Sequence, residues 1–224
     1  MGTKNNSKKR VEMRPCAGRK KDPRISSLSP FSRFIKRSID ILVCLVAFVV
    51  FFPVFLIICI AIKLDDGGIV IFRQERIGKH GKPFILYKFR TMTEEAESDD
   101  TPQLYVEGDE RLTRVGRFLR EHHLDEFPQL WNVLIGQMSV VGYRPERMFY
   151  INQIVAINPD YELLYHTRPG LFSEATLYNG YTLTIDDMLR RLDMDLKYLY
   201  NRSLWLDLKI IFLTTVFILT GKKF

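Results

Sequence analysis

The feature that most constrains this 224-residue chain is a long apolar stretch near its beginning. Between Ile41 and Ile62 no residue is charged or strongly polar, and this length meets the requirement for a helix in the hydrocarbon core of a bilayer. The stretch begins too late for a signal peptide, and no small-residue cleavage site follows it. The sequence therefore predicts a membrane segment followed by a domain large enough to have its own core.

Two observations bear on how this segment meets the bilayer. Pro53 lies near its middle, where the missing N–H and the ring break or kink a helix. Basic residues flank both ends, which places both ends on the cytoplasmic side by the positive-inside rule; they are Arg33, Lys36 and Arg37 before it, and Lys63, Arg73, Arg76 and Lys79 after it. A re-entrant helix hairpin broken at Pro53 satisfies both observations. A kinked helix that crosses the bilayer stays open as the alternative.

The segment from Met1 to Arg24 is rich in lysine and arginine and contributes much of the net charge of +7. Its low apolar content predicts a disordered tail that attracts anionic lipid, and a solvated tail without a partner is the alternative. The three cysteines have no spacing typical of a disulfide framework or a zinc site.

After the apolar stretch, short β-branched and aromatic runs at 69–72 and 84–89 predict a β-hairpin. The second run leads into Lys88, Phe89 and Arg90. In a strand, Lys88 and Arg90 share a face, so two cations are available to bind a diphosphate. A solvated strand face is the alternative.

The richest motif is His122-His123-Leu124-Asp125-Glu126-Phe127-Pro128. Proline is tolerated in the first turn of a helix, so Pro128 places Asp125 and Glu126 at a helix start, where the helix dipole favours anions. Carboxylates at such a position, downstream of several arginines, suit a divalent metal and a phosphate-bearing substrate. The alternative is that Asp125 only caps the helix.

Two further arginines precede prolines, Arg144-Pro145 and Arg168-Pro169, which holds each arginine in extended backbone. Leucines at helical spacing then predict an amphipathic helix over 185–201. A more uniformly apolar helix follows over 203–219, and its length and charged beginning favour a position in the membrane interface or under the hairpin.

Taken together, these motifs resemble the bacterial sugar transferase family, the small monotopic polyprenyl-phosphate phosphoglycosyl transferases. The resemblance covers about Phe34 to Thr215. It rests on motifs in a specific order: 34–40, Pro53, 70–78, 82–84, 87–92, 124–133, 138–142, Arg144-Pro145, Arg168-Pro169-Gly170 and 203–209.

The resemblance implies an α+β fold, mainly α, with a re-entrant membrane helix hairpin, a small β-hairpin and amphipathic interfacial helices around a cytoplasmic catalytic core. We expect a basic tail at 1–30, the hairpin at 31–64 and the catalytic domain at 65–224. It also implies transfer of a sugar 1-phosphate from a nucleotide-diphosphate sugar, usually a UDP-sugar, to polyprenyl (undecaprenyl) phosphate. UMP leaves, and a covalent phosphosugar-aspartate intermediate forms in this first membrane step of glycan assembly.

The site expected from the resemblance assigns Asp125 as the nucleophile and Glu126 as the residue that positions Mg²⁺, with both carboxylates as metal ligands. The candidates for the phosphates of donor and acceptor are Lys88, Arg90, Arg120, Arg144 and Arg168.

The expected location is the inner membrane of a bacterium, with the catalytic domain facing the cytoplasm. The expected partners are the nucleotide-sugar donor, the polyprenyl phosphate acceptor, membrane lipid and downstream glycosyltransferases. A homodimer is a further expectation, and no nucleic acid is expected.

This sequence departs from the family pattern in three places. Tyr143 stands where proline is usual, His123 where a capping Ser or Thr is common, and the segment after Gly170 runs Leu-Phe-Ser-Glu-Ala-Thr. The third difference affects the sugar or nucleotide preference, because that loop is expected near the donor.

Two other functions stay open as alternatives. One is a membrane-anchored metal-dependent phosphohydrolase that uses His122, His123, Asp125 and Glu126. The other is a non-catalytic scaffold of a polysaccharide assembly complex. A membrane-tethered nucleic-acid binder is disfavoured because the helix after Asp125 offers few donors for base edges.

Overall fold

The structure, a computed structural model, describes residues 22–93, 96, 103–104, 106, 108–178 and 184–220. Most of the predicted basic tail lies outside these residues. Over these residues the chain is mainly helical with two small sheets, as predicted for the class. The helices are α1 (Pro30–Asp66), α2 (Arg114–Glu121), α3 (Gln129–Leu134), α4 (Met148–Ile157), α5 (Glu174–Tyr178), α6 (Ile185–Asn201) and α7 (Leu204–Thr220). The strands are β1 (Ile71–Ile77), β2 (Pro83–Phe89), β3 (Ser139–Val141) and β4 (Gly170–Phe172).

Helix α1 contains the whole apolar stretch. It has 37 residues, begins where Ser29 accepts a hydrogen bond from the Ser32 N–H, and ends at Gly67 in the left-handed conformation. Among the described residues it is the one helix that is long and apolar enough to cross a membrane. Helical structure continues through Pro53, so the structure does not show the two separate helices predicted for a hairpin.

The predicted β-hairpin is present, with different limits for its first strand. β1 and β2 pair in antiparallel fashion from Ile71 opposite Phe89 to Ile77 opposite Pro83. The prediction missed the polar second half of β1, because Arg73, Glu75 and Arg76 give no apolar run there. A second sheet pairs β3 with β4 in parallel, Ser139 opposite Gly170 and Val141 opposite Phe172.

Gly142 follows β3 and Gly170 begins β4, and the backbones of these two glycines nearly touch. A Cβ on Gly170 would lie 2.1 Å from the Gly142 nitrogen, and a Cβ on Gly142 would lie 2.6 Å from the Arg168 carbonyl oxygen. Only glycine allows such an approach. The contact brings the loop that begins at Gly142 beside the loop that ends at Gly170.

The body behind the sheets is built by α6 and its neighbours. Thr184 and Asp187 form a capping box at the start of α6, which fixes the beginning of the helix where the leucine spacing predicts it. The buried face of α6 packs on α4 and on the 3-10 turns at 159–166, and Met188, Leu192 and Leu199 belong to that core. α7 packs instead with α1 and β3, through Ile210 and neighbouring side chains.

Polar contacts fix the first part of α1 on this body. The buried Asp40 carboxylate accepts hydrogen bonds from Ser139 Oγ at 2.9 and 3.1 Å and from the Val140 N–H at 3.0 Å. One turn earlier, Lys36 Nζ lies 2.7 Å from Asp207 on α7.

The far end of α1 is fixed as well. The Arg90 guanidinium donates to both carboxylate oxygens of Asp66. Asp65 accepts from the Val115 N–H at the start of α2, at 2.9 Å. Both ends of the apolar helix are therefore bound to the same body.

We expect Asp40→Ala to destabilise the protein by about 2 to 4 kcal/mol, because the substitution leaves two buried donors without an acceptor. Ser139→Ala is the matched control, since Asp40 then keeps the Val140 N–H, and we expect a cost of about 1 kcal/mol. Thermal unfolding of the purified chain in detergent measures both. Equal losses for the two variants would contradict the central role assigned to Asp40.

Candidate active site

The predicted catalytic pair lies on a single 3-10 turn, Leu124–Glu126, directly before α3. His123 enters the turn with φ of 54°, a left-handed conformation that is uncommon for a residue other than glycine. The Asp125 side chain is buried, and Glu126 is half-buried. The turn thus replaces the helical first turn that the sequence predicted, while the position before the helix agrees with the prediction.

Glu126 is bound by two cations from distant parts of the chain. Lys88 Nζ on β2 and Arg144 Nη2 each lie 2.8 Å from Glu126 Oε1, and Lys88 Nζ also lies 3.5 Å from Asp125 Oδ2. Burial opposes ionisation of Glu126, but Arg144 and Lys88 outweigh it and hold its pKa well below the usual range. Glu126 is therefore an anion at neutral pH, and the cations are held around the turn.

Asn132 on α3 fixes the distance between the turn and β2. Its fully buried side chain accepts from the Tyr87 N–H at 3.1 Å and donates to the Ile85 carbonyl at 2.7 Å. The amide thus completes the hydrogen bonding at the edge of β2. These hydrogen bonds fix the position of Lys88 relative to the Asp125-Glu126 turn.

A buried carboxylate holds the loop that carries Arg144. Glu146 receives Arg76 from β1 at 3.0 Å and Arg191 from α6. Arg76 also donates to the Pro145 carbonyl at 3.2 Å, and the Ile77 N–H donates to the Glu146 carbonyl at 3.2 Å. Burial raises the pKa of Glu146, but Arg191 and Arg76 outweigh this and lower it overall. Ion pairs of Glu146 with Arg76 on β1 and with Arg191 on α6 thus hold the loop on both sides.

Asp195, also on α6, completes this cluster. It accepts from the Arg144 backbone, and burial raises its pKa to about 7. Burying a carboxyl group and several arginines costs free energy, and packing of the core alone would not require it.

The turn opens into a large cavity of about 1110 Å³. One part of its lining is cationic, with seven lysine and arginine side chains against three carboxylates among the described residues. The cations are Arg76, Lys88, Arg90, Arg120, Arg144, Arg147 and Arg191, and the carboxylates are Asp125, Glu126 and Glu146. The other part is apolar and lies between α1 and α7, with Leu42, Val46, Val50, Leu171, Phe172 and Ile211.

The structure brings most, but not all, of the predicted phosphate ligands together. Lys88 and Arg144 lie at the turn, and Arg120 lines the cavity. Arg90 also reaches the cavity wall, but its guanidinium is bound to Asp66 and the Ile69 carbonyl, and only 4% of the residue is exposed. These donors fasten the end of α1, and a role for Arg90 beside Lys88 on a diphosphate stays a prediction.

Arg168 lies apart from the other candidates, and its role as a phosphate ligand stays a prediction. It is not among the residues that line the cavity, and its Nε donates to the Gly136 carbonyl at 2.8 Å, beyond the end of α3. The two Arg-Pro pairs therefore occupy different places in this fold. Arg168 binds a backbone carbonyl, whereas Arg144 binds Glu126.

Sequence reasoning missed Arg76, Glu146, Arg147 and Arg191. A signal was present for Arg191, since it occupies a core-facing position of the amphipathic α6 beside Met188 and Leu192. A charged residue at such a position predicts a buried partner. The partner, Glu146, is 45 residues away in sequence and has no local signature.

Two of the departures from the family pattern have structural explanations. Tyr143 is fully buried and its ring packs in the core with Tyr150 and Tyr161, so the position tolerates a large aromatic residue. The altered segment after Gly170 contributes Leu171, Phe172, Ala175 and Thr176 to the cavity wall. The change in this loop therefore affects the cavity itself.

No group of three or more His, Cys, Asp or Glu side chains is placed to hold a metal among the residues that the structure describes. The oxygen donors available at the turn are Asp125 and Glu126. Mg²⁺ is commonly bound through one or two carboxylates together with substrate phosphates, so this donor set fits Mg²⁺ that arrives with a nucleotide.

Comparison with known proteins identifies the family. The family model for bacterial sugar transferases matches residues 31–221. The chain is 41% identical over 193 residues to the UDP-N-acetylgalactosamine-undecaprenyl-phosphate N-acetylgalactosaminephosphotransferase of Aeromonas hydrophila, covering 86% of this chain and 45% of that protein. It is 41% identical over 187 residues to the UDP-glucose:undecaprenyl-phosphate glucose-1-phosphate transferase of Caulobacter vibrioides, covering 83% of this chain and 70% of that protein.

A third relative is close to this chain in length. The exopolysaccharide production protein PSS of Rhizobium leguminosarum bv. phaseoli is 38% identical over 200 residues, covering 85% of this chain and 98% of that protein. In contrast, the chain spans less than half the length of the Aeromonas relative. Since the family model matches residues 31–221, which is most of the sequence, the chain belongs to the bacterial sugar transferase family.

Proposed function

We propose that the protein transfers a sugar 1-phosphate from a UDP-sugar to polyprenyl (undecaprenyl) phosphate and releases UMP. The observation that carries this proposal is the cavity, in which a cationic part and an apolar part meet beside a buried aspartate. A diphosphate donor needs the first part, and a lipid-linked acceptor needs the second. The Aeromonas and Caulobacter relatives are named for transfers of this kind.

Asp125 is the proposed nucleophile. A carboxylate oxygen attacks the phosphorus bonded to the sugar, the bond from that phosphorus to the bridging oxygen breaks, and UMP leaves with the electron pair. An oxygen of the polyprenyl phosphate then attacks the same phosphorus and releases the Asp125 carboxylate. The covalent route splits one difficult transfer into two easier displacements, which is the general advantage of covalent catalysis.

The main physical difficulty is that two anions, the Asp125 carboxylate and the donor diphosphate, must approach each other. The cations of the site reduce this repulsion. Lys88 lies within reach of both Asp125 and Glu126, and Arg144 is fixed beside them, so both donate toward the place where phosphate oxygens arrive. Such preorganised donors stabilise charge that develops on the phosphoryl group and on the leaving UMP. Glu126 holds the two cations in place before a substrate binds.

We also propose Mg²⁺ as the cofactor of this site. Asp125 and Glu126 would hold it together with the phosphates of the donor, and when bound it would neutralise phosphate charge as a Lewis acid. Glu126 already contacts two cations, so Asp125 is the more available of the two ligands.

We also propose that α1 is re-entrant, with the catalytic body on the cytoplasmic side of a bacterial inner membrane. The support is that charged side chains at both ends of α1 bind one body: Lys36 and Asp40 at the start, Asp65 and Asp66 at the end. A straight helix of this length measures about 55 Å, well beyond the hydrocarbon thickness of about 30 Å. The predicted homodimer and downstream glycosyltransferases stay predictions.

The covalent step is tested by mixing the purified chain with a panel of UDP-sugars and Mg²⁺ in detergent, without a lipid acceptor. We expect a burst of UMP close to one per chain and an increase of the intact mass by one sugar phosphate. Asp125→Asn should abolish both, while Asp109→Asn, which removes a carboxylate paired with Arg111 outside the cavity, should retain both. Release of inorganic phosphate would instead favour the phosphohydrolase, and absence of turnover with every donor would favour the scaffold.

The charge cluster around Glu146 predicts non-additive kinetics. We expect Arg144→Gln to lower kcat about 100-fold, as loss of one preorganised donor does elsewhere, and Glu146→Gln to lower it about tenfold because Arg144 loses its position. The double variant should match Arg144→Gln alone. Asp109→Asn serves again as the control and should combine additively with Arg144→Gln. Additive losses for Glu146 and Arg144 would show that Glu146 acts independently of Arg144.

The topology is tested with single cysteines at Ser27 and Glu75, exposed positions on either side of α1, in a chain without its native cysteines. A membrane-impermeant maleimide added to intact spheroplasts should label neither position, and both should react after permeabilisation. Labelling of one position from outside would identify a helix that crosses the bilayer.

A further inference from the structure

Asp195 on α6 binds the loop that carries Arg144. Its carboxyl group accepts a hydrogen bond from the Arg144 backbone, and only 3% of the residue is exposed. The Arg144 side chain lies 2.8 Å from Glu126, next to the proposed nucleophile, and it lines the cavity, whereas Asp195 does not. Asp195 therefore does not contact a substrate, and its effect on the reaction passes through Arg144.

The surroundings of Asp195 differ from those of Glu146, which is also buried. Each oxygen of Glu146 is bound by an arginine, Oε2 by Arg76 at 3.0 Å and Oε1 by Arg191. Asp195 follows Arg191 by one helical turn, yet Asp195 Oδ1 is buried and has no hydrogen-bond partner among the described residues. A buried oxygen without a partner disfavours a negative charge, whereas two arginines stabilise the charge of Glu146.

The charged groups that face Asp195 come from its own helix and from the loop. Arg191 and Arg144 favour its ionised form and Glu146 opposes it, but burial has the largest effect and raises the pKa of Asp195 to about 7. α4, α5 and the 3-10 turns at 159–166 also pack on α6. The buried titratable residues of these segments are Tyr150, Tyr161 and Tyr165. Their charged or titratable residues that are only half-buried are Asp160, Glu162, His166 and Glu174.

Ionisation of Asp195 changes the strength of the hydrogen bond that it accepts. A carboxylate accepts an N–H in a charge-assisted bond that is roughly twice as strong as the bond to a neutral carboxyl group. Since its pKa is about 7, the neutral and the ionised forms are both populated near neutral pH. The Arg144 backbone is thus held weakly in acid and firmly in alkaline solution.

We propose that Asp195 is a positioning residue whose state of protonation sets how firmly Arg144 is held at the transfer site. This inference rests on the proposed function, because the position of Arg144 matters to the rate only if phosphate groups react beside Asp125. A proton on Asp195 weakens the bond to the Arg144 N–H, and its loss strengthens that bond. Glu146 keeps its two arginines in both states. The transfer therefore becomes faster as the pH rises through neutrality.

The test measures the rate of the UMP burst from pH 6 to 8.5 with saturating UDP-sugar and Mg²⁺. Polyprenyl phosphate is left out, so that titration of the acceptor does not contribute. The ratio of the wild-type rate to the Asp195→Asn rate should be close to one at pH 6 and roughly three to five at pH 8.5, because asparagine resembles the neutral carboxyl group at every pH. Asp193→Asn, which removes an exposed carboxylate from the same helix, should follow the wild type.

Thermal unfolding in detergent gives a second readout that does not depend on turnover. Asp195 keeps its proton up to about pH 7 in the folded chain but only up to about pH 4 in the unfolded chain. The folded chain binds more protons between these values, so its stability falls as the pH rises from 4 to 7. The unfolding temperature of the wild type relative to Asp195→Asn should therefore fall from pH 5 to 7 and stay level above pH 7.

Equal pH profiles of the burst rate for the wild type and Asp195→Asn would overturn the inference and leave the proposed function standing. A pH-dependent difference in unfolding without a difference in rate would do the same, because Asp195 would then be purely structural. Absence of a burst in every variant would contradict the proposed function and, with it, this inference. If Asp195→Asn does not fold, Asp195→Ser, which is neutral and smaller, replaces it in both measurements.

Discussion

The arrangement of the active site depends on one shared carboxylate oxygen. Glu126 Oε1 accepts from Lys88 and from Arg144, residues 38 and 18 positions away in sequence, so this single atom joins the hairpin, the reactive turn and the loop after Gly142. Removing the carboxylate would leave two cations facing each other. The same contact keeps those cations beside Asp125 before any phosphate arrives, which spares the reaction the cost of assembling them.

The shared oxygen alone would not fix Arg144, and the protein uses a second carboxylate for that purpose. Glu146 is buried between Arg76 and Arg191, and Asp195 binds the Arg144 backbone. Buried ion pairs of this kind add little net stability compared with well-packed apolar side chains. Their value here is geometric, because each partner belongs to a different element and the loop between them has little freedom left. The site is therefore stiff where charge must be placed and open at the apolar part of the cavity, where the proposed lipid acceptor would enter.

Local patterns in the sequence predicted the features that depend on local interactions, such as the limits of helices. The leucine spacing predicted the limits of α6, and Pro128 indicated a helix start next to Asp125 and Glu126, which lie on the 3-10 turn just before α3. The fate of each arginine was not predictable in this way, because it depends on a distant carboxylate. Arg144 meets Glu126, Arg90 meets Asp66, and Arg168 meets a carbonyl instead. The three arginines therefore have three different partners, and neither the strand pattern around Arg90 nor the Arg-Pro pattern at Arg144 and Arg168 indicated which partner each would have.

The membrane helix is also part of the catalytic site. Its polar contacts are confined to its ends, whereas between Asp40 and Asp65 it meets the body through apolar side chains such as Cys44, Ile58 and Ile62. In the middle of this stretch the Phe51 ring lies 5.1 Å from that of Phe127, the residue that follows Glu126. A helix that is free to slide or tilt would move this contact and with it the reactive turn. Because both ends are fixed, the proposed position of α1 in the bilayer would also set the height of Asp125, at the level where the proposed acceptor phosphate would lie.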